Sequence, residues 1–325
     1  MAKKLIYIPE KSEFSLATHW PHLRLELLQS IEAHDGVELA PDAQSADLVA
    51  FFEDWSTQQP SYVHTVTRNP FFREHWKKLY TINDDDIVPG LLPGLYTSLE
   101  RHTFDPTIHR ACAYPRTYND EVEKSQDPIE PEVLATFRGK PNSSPLRDRL
   151  ADELADAENV RITLIFEKFH DHSETQKSDY VNDILSAHAV LCPRGWSPST
   201  YRMYETMALG RCPIVIADDW IEIKGVDWSE CSIRVAENQL GEIDAILASR
   251  AEDLRRLGEN AQRVFKKHFS SDTRAHFFID QLLELHENRS HRDYRKDWNR
   301  IQYWRKRGEG LRSHVKRRAK ALLGA

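Results

Sequence analysis

The sequence predicts an α/β protein with two domains, each built on a largely parallel sheet. The chain has 325 residues, and a single hydrophobic core stops growing at roughly 250–300 residues. Short apolar runs typical of buried strands alternate with amphipathic segments typical of helices. The polar stretch KSQDPIEP at 124–131 contains two prolines and separates two such series, so it is interpreted as a linker.

Composition excludes several protein classes. Hydrophobic residues make up 40% and charged residues 29% of the chain, which is typical of a globular protein. No segment approaches the ~18 consecutive apolar residues of a membrane span, and the first apolar run stops at Pro9, so we expect a cytoplasmic protein without a signal peptide. The cysteines are scattered without a CxxC pair and are interpreted as small buried side chains, not as disulfides or zinc ligands: Cys112, Cys192, Cys212 and Cys231.

The first series of elements predicts an N-terminal Rossmann-like domain at 1–128. Apolar runs predict three strands, and helical periodicity predicts two helices between them. The strands are expected at 5–9, 46–52 and 78–82, and the helices at 18–34 and 70–78. The stretch 89–118 is rich in turn residues and is interpreted as loop.

The second series predicts a C-terminal Rossmann-like domain at 129–288. Strands are expected at 133–137, 160–166, 189–191 and 212–217. Helices are expected at 146–157, 178–187, 200–209, 238–248, 250–268 and 271–287. Two such domains predict a ligand cleft that faces the carboxyl ends of their strands.

The last segment, 289–325, is basic and aromatic. From His291 onward it carries twelve Lys and Arg against three acids, in a chain whose net charge is −7. One interpretation is a helix at 292–306 that crosses back and packs on the N-terminal domain. A second is peripheral contact of residues 291–320 with an anionic membrane. A third is binding of single-stranded nucleic acid, which the acidic remainder of the chain disfavours.

Residues 189–200 have the features of a phosphate-binding turn. The apolar run AVLCP leads into Arg194 and Gly195, and Ser199 or Thr200 is placed to cap the helix that follows. The free amides of a helix N-terminus attract phosphate, as does a guanidinium group beside them. We therefore expect an anionic ligand at this turn.

The next helix and strand extend this pattern. Arg202 and Glu205 are three residues apart and share a helix face, and Asp218 follows the apolar run CPIVIA. An arginine fork suits diphosphate oxygens, and a carboxylate suits ribose hydroxyls. The alternative is that Arg202 and Glu205 form an exposed ion pair without a function.

The run LCPRGWSPSTYRMYETMALGRCPIVIADDW at 191–220 closely resembles the C-terminal signature of exostosin-family glycosyltransferases, family 47. That signature has CPRG, a serine, R-x-x-E, and G-x-x-P-V-I-x-x-D. FRGK at 137–140, followed by Arg147, resembles the family's earlier Arg–Gly turn and helix, and the N-terminal part resembles the family loosely. The resemblance implies a GT-B fold, in which two Rossmann-like domains face a central cleft.

The resemblance also implies roles for individual residues. Arg194 and Arg202 would contact the diphosphate, Glu205 the ribose, and Arg138 the phosphates or the donor sugar. IEIKGVDW at 221–228 departs from the family's Leu-Pro-Phe segment, which leaves contacts to the base or sugar there open. Gly195, Ser199 and Asp218 complete the predicted donor site.

The implied activity is inverting transfer in polysaccharide biosynthesis, from a UDP- or GDP-sugar to a glycan, lipid-linked or protein acceptor. The family implies no metal in the donor site, so neither metal nor cofactor is expected. Animal members are anchored in the Golgi, and the lack of an anchor here indicates a bacterial or viral relative. The alternative function is a non-catalytic glycan- or nucleic-acid-binding protein that uses the basic tail.

The catalytic base is expected from the N-terminal domain, across the cleft. Asp86 and Asp54 are the preferred candidates, with Glu53 and Asp84 behind them. The run 84–86 resembles the metal-binding Asp-x-Asp of other glycosyltransferases, but we interpret it as a solvated turn. The segment His-Asp-His at 170–172 lacks a third separated ligand and is not interpreted as a metal site.

Overall fold

The computed structural model describes residues 2–17, 20–53, 62–86, 90–116, 119–124, 129–141, 144–165, 173–290 and 292–299. The chain divides into two compact units. The first contains residues up to Arg110 together with the chain from Ile279 onward, and the second contains Ala111–Phe278.

The first unit has a six-stranded sheet in the order β2-β1-β3-β4-β5-β6. The strands are β1 (Lys4–Tyr7), β2 (Val37–Leu39), β3 (Leu48–Phe52), β4 (Leu79–Asn83), β5 (Gly94–Tyr96) and β6 (His109–Ala111). The helices are α1 (Pro21–Ala33), α2 (Tyr62–Arg68) and α3 (Pro70–His75). The neighbours from β2 through β5 pair in parallel. Every residue of β3 and β4 is buried, as expected for central strands covered on both faces.

The second unit has a five-stranded parallel sheet in the order β11-β10-β9-β7-β8. The strands are β7 (Val133–Gly139), β8 (Val160–Leu164), β9 (Ala187–Pro193), β10 (Cys212–Ile216) and β11 (Ile233–Arg234). The helices are α4 (Pro145–Glu153), α5 (Glu174–Leu185), α6 (Tyr201–Ala208), α7 (Ile243–Ser249) and α8 (Ala251–His268). A last helix, α9 (Arg274–Asn288), begins in this unit and ends in the first.

Helices cover both faces of the second sheet. Along β9, Ala189 and Leu191 belong to one buried cluster, whereas Val190 and Cys192 belong to another. This alternation is the two-residue period of a strand. The first cluster contains side chains of α4 and α7, and the second contains side chains of α5 and α6. The predicted α/β class with two Rossmann-like domains, as in GT-B proteins, is confirmed, while the predicted cleft between them stays a prediction.

The unit boundaries differ from the predicted ones at 128 and 288. The segment after Arg110 belongs to the second unit, where Tyr114 stacks on Tyr201 with 3.7 Å between ring centroids. Val122 lies in the same buried cluster. The prolines of 124–131 predict a linker there. The contacts of Tyr114 and Val122 with the second unit involve residues distant in the sequence, so the local sequence does not indicate them.

Several elements also differ from the prediction. The stretch 89–118 contains two short strands, β5 and β6, and β2 was not predicted. Helix α5 begins four residues before the predicted 178, because Ser173 and Gln176 form a capping box there. The prediction that the cysteines are small buried side chains is confirmed, since all four are free thiols inside the protein.

A buried carboxyl group joins β3 to its neighbours in the first unit. Glu53 is 3% exposed, and its Oε2 accepts hydrogen bonds from Thr81 Oγ1 and Asn83 Nδ2, both at 2.9 Å. Tyr62 donates its hydroxyl to Oε1. Burial raises the pKa of Glu53 to about 7, helped by the charge of Asp85 and opposed by the three hydrogen bonds.

This raised pKa predicts a pH-dependent stability. The folded state holds the Glu53 proton to higher pH than the unfolded state does. The associated stabilisation is therefore complete below about pH 4.5, the ordinary pKa, and is lost as pH rises through about 7. We expect the free energy of unfolding to fall between these values in the wild type, and Glu53→Gln to flatten that slope. The measurement is urea unfolding across this pH range.

The matched control is Glu38→Gln, which changes an exposed carboxylate of the same unit. It should keep the wild-type slope. A Glu53→Gln variant whose stability declines with pH as steeply as the wild type would contradict the assignment.

The chain after α9 packs on the first unit. Tyr294 is 1% exposed and belongs to the core of that unit. Its hydroxyl donates to the carbonyl oxygen of Trp76 at 3.0 Å, and Arg289 lies 5.3 Å from its ring centroid. Residues 294–299 form a 3-10 helix. The interpretation that aromatics after 291 are packing residues therefore holds for Tyr294, and residues 300–325 lie outside the described part of the chain.

Tyr294→Ala should lower the stability of the first unit. Removing a buried aromatic side chain costs about 3–5 kcal/mol, whereas Tyr294→Phe removes only the hydroxyl bond to Trp76, about 1 kcal/mol. The readout is the urea midpoint. Lys296→Ala, which changes an exposed side chain two residues away, is the control and should leave it unchanged. An unaltered midpoint in Tyr294→Ala would mean that the segment contributes nothing to the core.

Candidate functional site

The candidate site lies at the carboxyl edge of the second sheet, where the strand order reverses. Strands β7 and β9 are neighbours, and β8 and β10 flank them on opposite sides. In open α/β sheets this reversal is where ligands bind. Arg138 and Gly139 end β7, and Arg194 and Gly195 follow β9. Three of the predicted donor-site residues, Arg138, Arg194 and Gly195, thus lie at neighbouring strand ends.

The turn after β9 leads to the N-terminus of α6. Thr200 is its N-cap and makes no side-chain capping bond, so the first amides of α6 lack that partner. Of the two predicted caps, Ser199 and Thr200, Ser199 is not the N-cap. It is 4% exposed, and its hydroxyl has no hydrogen-bond partner among the described residues.

Arg202 is buried beneath this turn. It is 8% exposed, and its guanidinium carbon lies 4.6 Å from the ring centroid of Phe137. Its Nη2 donates to the carbonyl oxygen of Arg138 at 2.7 Å. Its Nε and Nη1 are buried and find no partner within the described ranges, which is unusual for a charged group.

A second arginine, Arg147 of α4, lies over the same ring. Its guanidinium carbon is 6.0 Å from the centroid of Phe137, and Nη2 donates to the carbonyl oxygen of Pro193 at 3.2 Å. Its Nε is also buried without a partner in the described structure. Burial, and then the charge of Arg202, lower the pKa of Arg147 to about 9, so it remains a cation at neutral pH.

A glycine lies against each of these guanidinium groups, and one of the two leaves room that a side chain would fill. A Cβ on Gly139 would lie 2.7 Å from Nη2 of Arg202, closer than real Cβ contacts. A Cβ on Gly195 would lie 3.4 Å from Nη2 of Arg147. Gly139 therefore carries a packing requirement, because it makes room for Arg202, whereas a Cβ at Gly195 would make ordinary contact with Arg147.

The arginines of those pairs are bound to carboxylates. Arg194 donates Nε and Nη2 to the two carboxylate oxygens of Glu237, at 2.6 and 2.9 Å. Glu237 also accepts from the backbone N–H of Asp218, and its own N–H donates to Asp218 Oδ1. Arg138 donates Nη1 to Asp183 at 2.8 Å. These residues shape the edge of the site, and their predicted contacts with a donor stay predictions.

Glu205 lies one turn after Arg202 in α6. It is 8% exposed, and its Oε2 accepts a hydrogen bond from the hydroxyl of Tyr180 at 2.7 Å. Burial raises its pKa, opposed by Tyr180 and Arg202. The alternative of an exposed Arg202–Glu205 ion pair is wrong, because both side chains are buried.

The acids of the first unit are only partly described. Asp54 lies outside the described residues, as do His170 and the two residues after it. Asp86 is exposed, whereas Asp84 and Asp85 are 7% and 8% exposed. The interpretation of 84–86 as a solvated turn is therefore wrong for the first two acids. Their burial follows from β4, a fully buried strand that ends one residue earlier.

Sequence reasoning missed Arg147 and Glu237 as site residues. Arg147 was noted only as part of the family's Arg–Gly turn and helix. Its position in the first turn of α4, eight residues after Gly139, was the available signal. Glu237 lies beyond β11, and no local pattern connects it to Arg194.

No helix in the described ranges is long and apolar enough to cross a membrane. Most of residues 291–320 lies outside those ranges, so the predicted peripheral membrane contact stays a prediction. The predicted cytoplasmic location is likewise untested.

The part of the chain that contains the site is similar to a known protein family. The exostosin GT47 domain profile matches residues 96–250. A probable β-1,4-xylosyltransferase of Arabidopsis thaliana, IRX10, is 35% identical over 94 residues, 28% of this chain and 22% of that protein. A probable glucuronoxylan glucuronosyltransferase of the same plant, IRX7, is 26% identical over 211 residues, 59% of this chain and 47% of that protein. The alignments thus span less than half of each relative's length.

Solved structures with related folds are more distant. Anabaena Alr3699/HepE in complex with UDP-glucose has a TM-score of 0.44 and 12% identity, covering 87% of this chain and 99% of that one. An α1,3-fucosyltransferase has a TM-score of 0.45 and 13% identity, covering 90% of this chain and 92% of that one. All the described site residues of the second unit fall inside the matched residues 96–250. The predicted resemblance to exostosin-family glycosyltransferases is therefore confirmed.

Proposed function

We propose that this protein transfers a sugar from a nucleotide-diphosphate sugar to a glycan acceptor, and that the second unit holds the donor. The observation that carries the proposal is the pair of buried arginines, Arg147 and Arg202. Both present N–H groups without partners in the described structure, at the sheet position where α/β proteins bind ligands.

A diphosphate suits this arrangement. Two like charges over one phenylalanine ring repel each other, and buried cations are costly unless an anion accompanies them. No described carboxylate accepts a hydrogen bond from either guanidinium. A diphosphate would supply several acceptor oxygens, and the α6 N-terminus adds amide donors of the same polarity. The same groups would stabilise the charge that develops on the leaving diphosphate.

Glu205 would bind the ribose. Its carboxylate is buried and oriented by the hydroxyl of Tyr180, and a carboxylate accepts hydrogen bonds from two vicinal hydroxyls. It lies about 4.5 Å beyond Arg202 along the helix axis, from the rise of 1.5 Å per residue. That separation suits the ribose and diphosphate portions of one ligand.

The relatives indicate which donors to try first. Proteins named as probable xylosyl- and glucuronosyltransferases match this chain, which favours a pentose or uronic acid carried by uridine diphosphate. A guanosine diphosphate donor stays the second choice. A glycan is the favoured acceptor, ahead of a lipid-linked or protein acceptor.

The proposed chemistry is a single displacement with inversion. The acceptor hydroxyl oxygen forms a bond to the anomeric carbon as the bond from that carbon to the diphosphate oxygen breaks. The hydroxyl proton passes to a carboxylate, for which Asp86 and Asp54 are the candidates. The alternative, a glycan- or nucleic-acid-binding protein, predicts binding without turnover, and a turnover assay distinguishes the two.

Arg202 and Glu205 should affect different kinetic constants. Arg202→Ala removes charge-assisted bonds to the diphosphate that strengthen as it leaves. Such bonds are worth about 1.5–3 kcal/mol, so we expect kcat/KM to fall roughly 10- to 150-fold, partly through kcat. Glu205→Gln weakens the ribose contact, which changes little during transfer, so KM should rise while kcat moves less. Steady-state kinetics with UDP-sugars is the measurement.

Arg147→Ala should lower kcat/KM as Arg202→Ala does. The matched control is Arg149→Ala, which removes an exposed arginine of the same helix that pairs with Glu153 and should keep wild-type kinetics. Normal kinetics and normal nucleotide affinity in Arg202→Ala and Arg147→Ala would overturn the donor-site assignment.

Metal independence is a separate prediction of this site. Two guanidinium groups and the amides of a helix N-terminus supply the positive charge that a divalent ion supplies in other transferases. Turnover should therefore persist after exhaustive treatment with a chelator. An absolute requirement for added manganese or magnesium would contradict the assignment of Arg147 and Arg202.

A further inference from the structure

One half-exposed aromatic side chain lies on the turn between β9 and α6. Trp196 is 49% exposed and is the aromatic residue among the strongly exposed large hydrophobic side chains of the described chain. It follows Gly195, whose backbone lies against Arg147. Single exposed apolar side chains are common on protein surfaces. Trp196 is of interest because of its position, on the turn that belongs to the proposed donor site.

The backbone around Trp196 is held in place. Arg194 is fixed by its two bonds to Glu237. Ser197 and Ser199 are 3% and 4% exposed, and the hydroxyl of Ser197 donates to the carbonyl oxygen of Ser199 at 3.1 Å. An exposed indole on an anchored turn is a preorganised surface, which loses little conformational entropy when a ligand packs on it.

The order of residues along the turn and α6 gives the direction of the ligand. The proposed donor is linear, with its diphosphate between the nucleoside and the sugar. Glu205, which would bind the ribose in the proposed function, lies three residues after Arg202, further along helix α6 from its N-terminus. The transferred sugar therefore extends the opposite way, toward the turn before α6, where Trp196 lies.

We propose that the indole of Trp196 is the platform on which the donor's sugar ring packs, an inference that rests on the proposed function. One face of a sugar ring presents mainly C–H groups, and burying that face against an aromatic surface is favourable. Leu164, 37% exposed at the end of β8, adds an apolar side chain at the same edge, because its strand partner is Gly139.

The proposal separates binding of the nucleotide from binding of the sugar. Calorimetry would give Kd values for UDP, UDP-xylose and UDP-glucuronic acid with wild type, Trp196→Ala and Trp196→Phe. In Trp196→Ala the Kd of UDP should change less than twofold, while the Kd of each UDP-sugar rises roughly 3- to 10-fold. Trp196→Phe keeps a ring and should retain most of the affinity. Leu39→Ala, which shortens an exposed side chain of the first unit, should change neither.

The other possible results would reject the proposal for Trp196, or both that proposal and the proposed function. Equal weakening of UDP and UDP-sugars in Trp196→Ala would assign the indole to the nucleoside and overturn the proposal. Unchanged affinity for all three ligands would also overturn it, while the proposed function would stand on the wild-type binding. A wild type that binds none of these ligands would reject the proposed function and this inference together.

Discussion

The arrangement of the second unit depends on two guanidinium groups sharing the ring of Phe137. Arg147 and Arg202 come from different helices and reach the carboxyl ends of β9 and β7, where each donates to a backbone carbonyl. Their charges repel in a partly desolvated site, so the fold must hold them by other means. It does so with an aromatic face, two carbonyl acceptors and one glycine, Gly139, that leaves room for close approach of Arg202. The remaining buried N–H groups of Arg147 and Arg202 are those that the proposed function assigns to the diphosphate.

No described carboxylate of the protein forms an ion pair with Arg147 or Arg202. The arginines at the strand ends, Arg138 and Arg194, each have a carboxylate partner. The pair over Phe137 has none among the described residues. Glu205, the nearest acid along α6, is bound to Tyr180 instead. The site thus contains paired arginines that fix its shape and unpaired ones that are available to a ligand.

Much of this unit could be predicted from the sequence, because its signals are local. Apolar runs predicted β7, β9 and β10, and the CPRG turn with R-x-x-E is the basis for the proposed site at the end of β9. Two contacts could not be predicted because they join residues that are distant in the sequence. They are the ion pair of Glu237 with Arg194 and the stacking of Tyr114 on Tyr201. Periodicity carries no information on such contacts. The same limit explains the boundary at Arg110, because prolines mark where a chain turns but not which unit the preceding residues join.

The first unit is discontinuous in sequence, and this affects the order in which the protein can fold during synthesis. Residues up to Arg110 leave the ribosome first, but their core includes Tyr294. The second unit is one continuous segment, Ala111–Phe278, so all of its core residues are synthesised, and leave the ribosome, before Tyr294 does. Although domains generally fold in N-to-C order, here the second unit can be completed first. The first unit then spends the synthesis of nearly 170 residues with part of its apolar surface uncovered, the period in which chaperones would engage it.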